Sequence, residues 1–195
     1  MSNILKFIRH IDNDCHNNDF TLELLNVRFI DIGDGSPSSG YFSEDEKKIC
    51  VSLKTKDFVG ILAHEYSHFM QYTDSMDLYT YYGKSYTKIM EWLDGKRIQK
   101  VDFHLDNCLA LELDCEKRAV ELMKVWDLGI DIKDYIKRAN AYMYFWKYLK
   151  HSRKWCNPYN TPSCNDSLVN MMPNRFLNDY TLTDELREIF EKESI

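Results

Sequence analysis

This sequence predicts an α+β fold in which a small β hairpin packs on a mostly helical domain. Three observations predict it: two short β candidates flank a polar turn, apolar residues recur at helical spacing through much of the chain beyond Asp57, and no Gly/Ser/Pro-rich linker divides it. With 195 residues, 44% of them hydrophobic, there is material for one full core and too little for two comfortable ones. Residues 1–195 are therefore expected to form a single domain, with a motif-bearing core at about 40–125 and a helical C-terminal part at about 131–195.

The first helix is read from Ile4, Leu5, Phe7, Ile8 and Ile11. Leu22 to Ile32 reads as a strand carrying Val27, Phe29 and Asp31 in alternation, and Gly33 to Gly40 as a loop. Tyr41-Phe42 and Ile49 to Leu53 are the hairpin strands, joined by the turn Ser43 to Lys48. From Asp57, the expected N-terminal cap, Phe58, Leu62, Tyr66 and Phe69 fall on one helical stripe. Thr73 to Tyr86 is polar, Tyr-rich and without a readable period. A helix from about Leu105 to Trp126 has Leu109, Leu113, Val120 and Met123 on its apolar face and Gly129 as its stop. Asp131 opens another to about Ser152, whose wide aromatic stripe reads as core. Cys156 to Arg175, with three prolines, reads as an ordered loop, followed by a helix near Thr183 to Glu193 capped by Thr181 or Thr183.

Lys plus Arg number 25 against 31 Asp plus Glu, a net charge of −6 with no basic run, so nucleic acid is not an expected partner. No apolar stretch approaches the roughly 20 residues of a membrane span, and the N-terminus turns charged before a signal-like segment can form. The expectation is a cytoplasmic protein without a membrane partner, its six cysteines reduced and serving as core residues.

The chemistry is concentrated in His64-Glu65-Tyr66-Ser67-His68, an HExxH motif inside a predicted helix. Positions i and i+4 project side by side, so two imidazoles can hold one Zn²⁺ while Glu65 reaches a water on the metal as general base. Zinc needs a third protein ligand with a fourth position left open. Asp74, six residues beyond His68, is one candidate, but the arrangement that uses that position needs Gly where this chain has Gln71. The favoured candidate is Glu112 on the next strong helix. It shares a face with Glu116, Cys115 and Ala119, whose small side chains permit close packing, and Glu116 is then placed to hydrogen-bond the outer nitrogen of a ligand His. His151, Cys156 and Cys164 form a weaker second metal candidate, and Met171-Met172 reads as packing.

A β hairpin, HExxH on a helix, then a helix with Glu112-Leu-Asp-Cys115-Glu116-Lys-Arg-Ala119 resembles the gluzincin zinc metallopeptidases, and is most similar to the small cytosolic ImmA/IrrE-like peptidases. The resemblance covers about residues 40 to 125. It implies a zincin-like fold and one catalytic zinc ion held by His64, His68 and Glu112. It further implies hydrolysis of peptide bonds in a protein or peptide substrate. On this reading Ile49 to Leu53 lies at the sheet edge and pairs with an extended substrate, and Tyr142, His151 and Tyr159 are among the candidates for stabilising the oxyanion. The competing expectations are a catalytically inactive zincin-fold binding or regulatory protein and a non-proteolytic metal hydrolase.

Overall fold

The structure, a computed structural model, describes residues 2–31, 37–193 and 195, and at 76–78 their backbone. It is a mixed α+β protein, mostly helical with a small sheet, and falls into two compact units. The first comprises Met1–Ser75 and Cys115–Ile130, the second Met76–Asp114 and Asp131–Ile195. Among the described residues no helix is long and apolar enough to cross a membrane.

In the first unit, α1 (Asn3–Asn17) buries Phe7, Ile11 and Cys15, one turn apart on a single stripe, and Ser2 caps it by accepting the Leu5 N–H. The main sheet has strand order β1-β5-β4, with β1 at Thr21–Leu25, β4 at Gly40–Ser43 and β5 at Lys48–Ser52. β1 runs parallel to β5, Thr21 opposite Lys48, and β4 antiparallel to it, Gly40 opposite Val51. A separate two-residue ladder joins β2 (Ile30–Asp31) to β3 (Pro37–Ser38).

Two expectations are corrected here. The segment 22–32 is not one strand: among its described residues pairing is confined to β1 and β2, and Val27 lies in the bend between them, where its carbonyl receives the Ser52 hydroxyl. The hairpin strand at 49–53 is not at the edge. β5 has a neighbour on each side and is buried from Ile49 to Ser52, which explains its unbroken Ile-Cys-Val run. The edges belong to β1 and β4. Of the expected loop at Gly33 to Gly40, residues 33–36 lie outside the described residues, while Pro37–Ser38 form β3 and Gly40 opens β4.

The helix α2 (Phe58–Asp74) packs beneath β4 and β5, burying Leu62, Ala63, Tyr66 and Phe69. Asp57 occupies its N-cap position without the expected side-chain bond. Gly40 permits the close approach of β4: a Cβ there would stand 2.6 Å from Ile61 Cγ2 and 3.2 Å from both the Cys50 carbonyl and Glu65 Cγ. The Tyr66 hydroxyl ties α2 to α1, donating to Asp14 Oδ2 at 2.7 Å and lying 3.2 Å from His10 Nε2. The unit also receives the C-terminal part of α4 (Val101–Val125), with Cys115, Ala119, Val120 and Met123 buried. That helix stops before Gly129. Asp127 takes the left-handed conformation (φ 47°), and the Leu128 N–H folds back onto the Met123 carbonyl at 3.1 Å.

The second unit contains α3 (Met76–Leu93), which takes up the unassigned Tyr-rich segment from Met76 on, Thr73 and Asp74 ending α2, and the N-terminal part of α4. At its centre is α5 (Ile132–Ser152), capped by Asp131, whose carboxylate accepts the N–H groups of Lys133 and Asp134. Phe145, Trp146 and Leu149 are fully buried with Ile89, Leu168 and Phe190, as expected of a helix covered on more than one side. The region read as a loop holds a 3-10 turn, Pro162–Cys164, and α6 (Asp166–Met171), capped by Asn165. Asn140, fully buried, fixes the chain beyond it: Nδ2 donates to the Pro173 and Arg175 carbonyls at 2.8 and 2.9 Å, and Oδ1 accepts the Tyr180 hydroxyl. Thr183 caps α7 (Asp184–Lys192). All six cysteines are free thiols; five are buried, and Cys164, expected in the core, is exposed.

Candidate metal centre

Helix α2 presents His64 and His68 on one face, ring centroids 4.7 Å apart and nearly perpendicular. Each imidazole is held by its Nδ1. His64 Nδ1 lies 3.2 Å from Glu116 Oε1, and His68 Nδ1 lies 2.9 Å from Oε1 of the buried Gln71. In its neutral form a ring that donates Nδ1–H to such an acceptor carries its lone pair on Nε2, the nitrogen by which a histidine can bind a metal.

Among the described residues, one set of three His, Cys, Asp or Glu side chains has its ligand atoms close enough to hold a metal ion: His64, His68 and Cys115, all within 4.8 Å of one another. The Cys115 thiol is fully buried and donates to the His64 carbonyl at 3.2 Å, with Sγ 3.5 Å from His64 Nδ1. Burial opposes charge on His64, but the neighbouring Cys115 sulfur and Glu116 carboxylate outweigh it and hold the ring's pKa well above the ordinary value. These surroundings favour the protonated ring, so a metal bound there has to displace a proton.

Glu65 is buried between the two histidines in sequence, under β4. Burial pushes its carboxyl pKa up; His64 and the Phe42 backbone N–H, which its carboxylate accepts, pull it back, and Glu116 adds a small push upward. A carboxylate whose proton affinity is raised by burial, and which is fixed to a strand backbone, is suited to proton transfer.

The other sequence candidates are placed as follows. Asp74 is the last residue of α2, which runs on unbroken past Gln71, and its carboxylate takes Arg118 Nη1 at 2.8 Å; the structure does not bring it into the group. Glu112 is half-buried on α4, three residues before Cys115 and four before Glu116, and so on their face of that helix. His151, Cys156 and Cys164 do not form a metal-holding group among the described residues. In the second unit, Tyr142 is half-buried with its ring stacked on Phe145, and Tyr159 is 75% exposed.

Sequence reasoning missed two participants. Cys115 was read as a small packing residue, and Gln71 only as the absence of a glycine; its position three residues beyond His68, one helical turn along, was the available signal. Comparison with protein-family models, with curated proteins and with solved structures found no match for this chain.

Proposed function

We propose that this chain is a zinc-dependent peptidase of the gluzincin type, hydrolysing peptide bonds in protein or peptide substrates. The observation that supports this reading is the pair of imidazoles side by side on one helical face, each with its Nδ1 beside a side-chain acceptor, Glu116 for His64 and Gln71 for His68, next to a buried Glu. Two imidazole nitrogens with a position left open suit Zn²⁺, a borderline ion content with four ligands. For the third protein ligand the sequence pattern assigns Glu112. Cys115 is the rival: its sulfur lies 3.5 Å from Nδ1 of His64 and donates to the His64 carbonyl, and Glu116 approaches the same Nδ1.

Zinc held by these residues supplies a Lewis acid for the peptide carbonyl and lowers the pKa of water. Glu65 takes the proton of the attacking water and later gives it to the leaving amine, so that the proton inventory closes within one side chain. β4, the edge strand beside Glu65, offers its outer backbone groups to an extended peptide as an added strand, the role first expected of 49–53.

The test is metal analysis together with cleavage of casein or a peptide library by the wild type and by Glu65→Gln. The wild type is expected to contain one zinc per chain and to cleave; Glu65→Gln is expected to keep the zinc and lose at least about 10²-fold in hydrolysis, the low end of general acid–base contributions. Equal cleavage by the two proteins removes Glu65 as the base. Zinc without any cleavage by either favours the binding-protein reading.

A further inference from the structure

We propose that the second unit carries a site for the phosphoryl group of a small soluble molecule, in a groove of about 320 Å³ lined by Lys88, Lys96, Arg97 and His104.

The groove is built from three stretches of chain: Lys88 and Glu91 come from α3, Lys96, Arg97 and Gln99 from the connection at 94–100, and His104 from the first turns of α4. In a chain of net charge −6 this corner is cationic. Glu91 is the one carboxylate among the lining residues, and it is already shared, accepting Lys88 Nζ at 2.8 Å and Lys96 Nζ at 3.3 Å. Those two ammonium groups hold its pKa below the usual carboxylate value, which marks it as a counter-charge in use. With Arg97 added, the lining keeps a surplus of two positive charges. That surplus matches a dianion.

His104 contributes a fixed neutral donor. Asn107 Nδ2 donates to Ser85 Oγ at 2.9 Å, so the hydroxyl proton of Ser85 is free to go to His104 Nδ1 at 3.0 Å, which places the ring's own hydrogen on Nε2. Ser85 is buried, so the His104 ring is anchored from the interior, while Lys88, Lys96 and Arg97 are exposed. Partial burial, then the charges of Lys88 and Lys100, hold the His104 pKa below its ordinary value, a second sign of positive potential at this place. Separate elements thus line one groove with an Arg fork, two ammonium groups and an imidazole. A tetrahedral dianion can use donors from several directions at once, whereas a single carboxylate neutralises only half the surplus. The groove is too small for a folded partner and roomy enough for a phosphomonoester.

The experiment is calorimetric titration of the purified full chain with inorganic phosphate and with glycerol 3-phosphate, at pH 7 and fixed ionic strength. The expected result is saturable one-site binding of both probes. Lys88→Ala/Arg97→Ala should weaken it at least about tenfold, as expected for loss of charge-assisted hydrogen bonds, and Arg97→Ala alone should weaken it in the same direction. Lys54→Ala/Lys56→Ala, which removes the same charge from exposed positions of the first unit, should leave it unchanged. Absence of saturable binding overturns the proposal, as does an equal loss in the two double variants. Binding to vesicles of phosphatidic acid in phosphatidylcholine without binding of the soluble probes also overturns it, because the ligand is then a membrane surface. None of these readouts involves the histidines of the metal centre.

Discussion

Glu116 and Gln71 act on the two imidazoles from opposite directions in sequence, one from a different helix and one from the next turn of the same helix. Each favours one tautomer of its neutral ring, and a side chain held in one tautomer loses less freedom when a metal binds. Glu116→Ala and Gln71→Ala are therefore each expected to weaken zinc binding about 10- to 100-fold while leaving the secondary structure intact, measured by competition with a chromophoric chelator. In the same assay Glu112→Ala should lose affinity severely and Cys115→Ala should stay close to wild type; the reverse order makes Cys115 the third ligand. At this scale the sequence was most legible where geometry is local. The i, i+4 spacing of His64 and His68 and the Glu between them need only a helix. Gln71 obeys the same periodicity but carries no motif, and a buried Cys is ordinarily packing, so neither stood out before the neighbouring side chains were in place.

The approach of β4 to α2 depends on a missing side chain. At Gly40 an added Cβ meets Ile61 Cγ2, which sits on a branched carbon that cannot swing clear, as well as a backbone carbonyl and Glu65 itself. Gly40→Ala is expected to cost about 1–3 kcal/mol as overpacking and to lower hydrolysis as well, because the strand that holds the Glu65 carboxylate is the one displaced. Thermal denaturation and cleavage assays on the variant check both; an unchanged midpoint shows that the strand yields freely. Elements were legible to the extent that their partners are near in sequence. The β4–β5 hairpin and the Asp131 cap were readable because turn and cap chemistry are local. β5 was misplaced at the edge because its parallel partner β1, at Thr21–Leu25, carries no clean alternation to announce it. The loop after Cys156 hid α6 because six residues are too few to show a period, and the chain beyond that helix is held by Asn140, distant in sequence. Tyr180→Phe removes one bond to that amide and should cost about 1–3 kcal/mol, read as a lowered urea midpoint.

At the scale of the whole molecule, the histidine pair and its anchors all belong to the first unit, whose chain is drawn from two separated stretches, Met1–Ser75 and Cys115–Ile130. A metal ion held by His64 and His68 joins residues of α2, and α2 is itself clamped to α1 through Tyr66 and to α4 through Arg118 and Asp74. Ligand binding to the folded state alone stabilises it by mass action, about 2.7 kcal/mol when free metal is a hundred times the dissociation constant. For a chain of this size that corresponds to a midpoint shift of about 5–10 °C. The expected outcome is that a chelator lowers the melting temperature of the wild type by that amount and that added zinc restores it. His64→Ala/His68→Ala should melt at one temperature with or without chelator, since nothing remains for the chelator to remove. The comparison within each protein separates metal loss from any packing defect of the double variant. A wild type indifferent to the chelator, with no zinc found in it, would show that the folded chain holds no metal, and the hydrolytic reading of Glu65 would go with it.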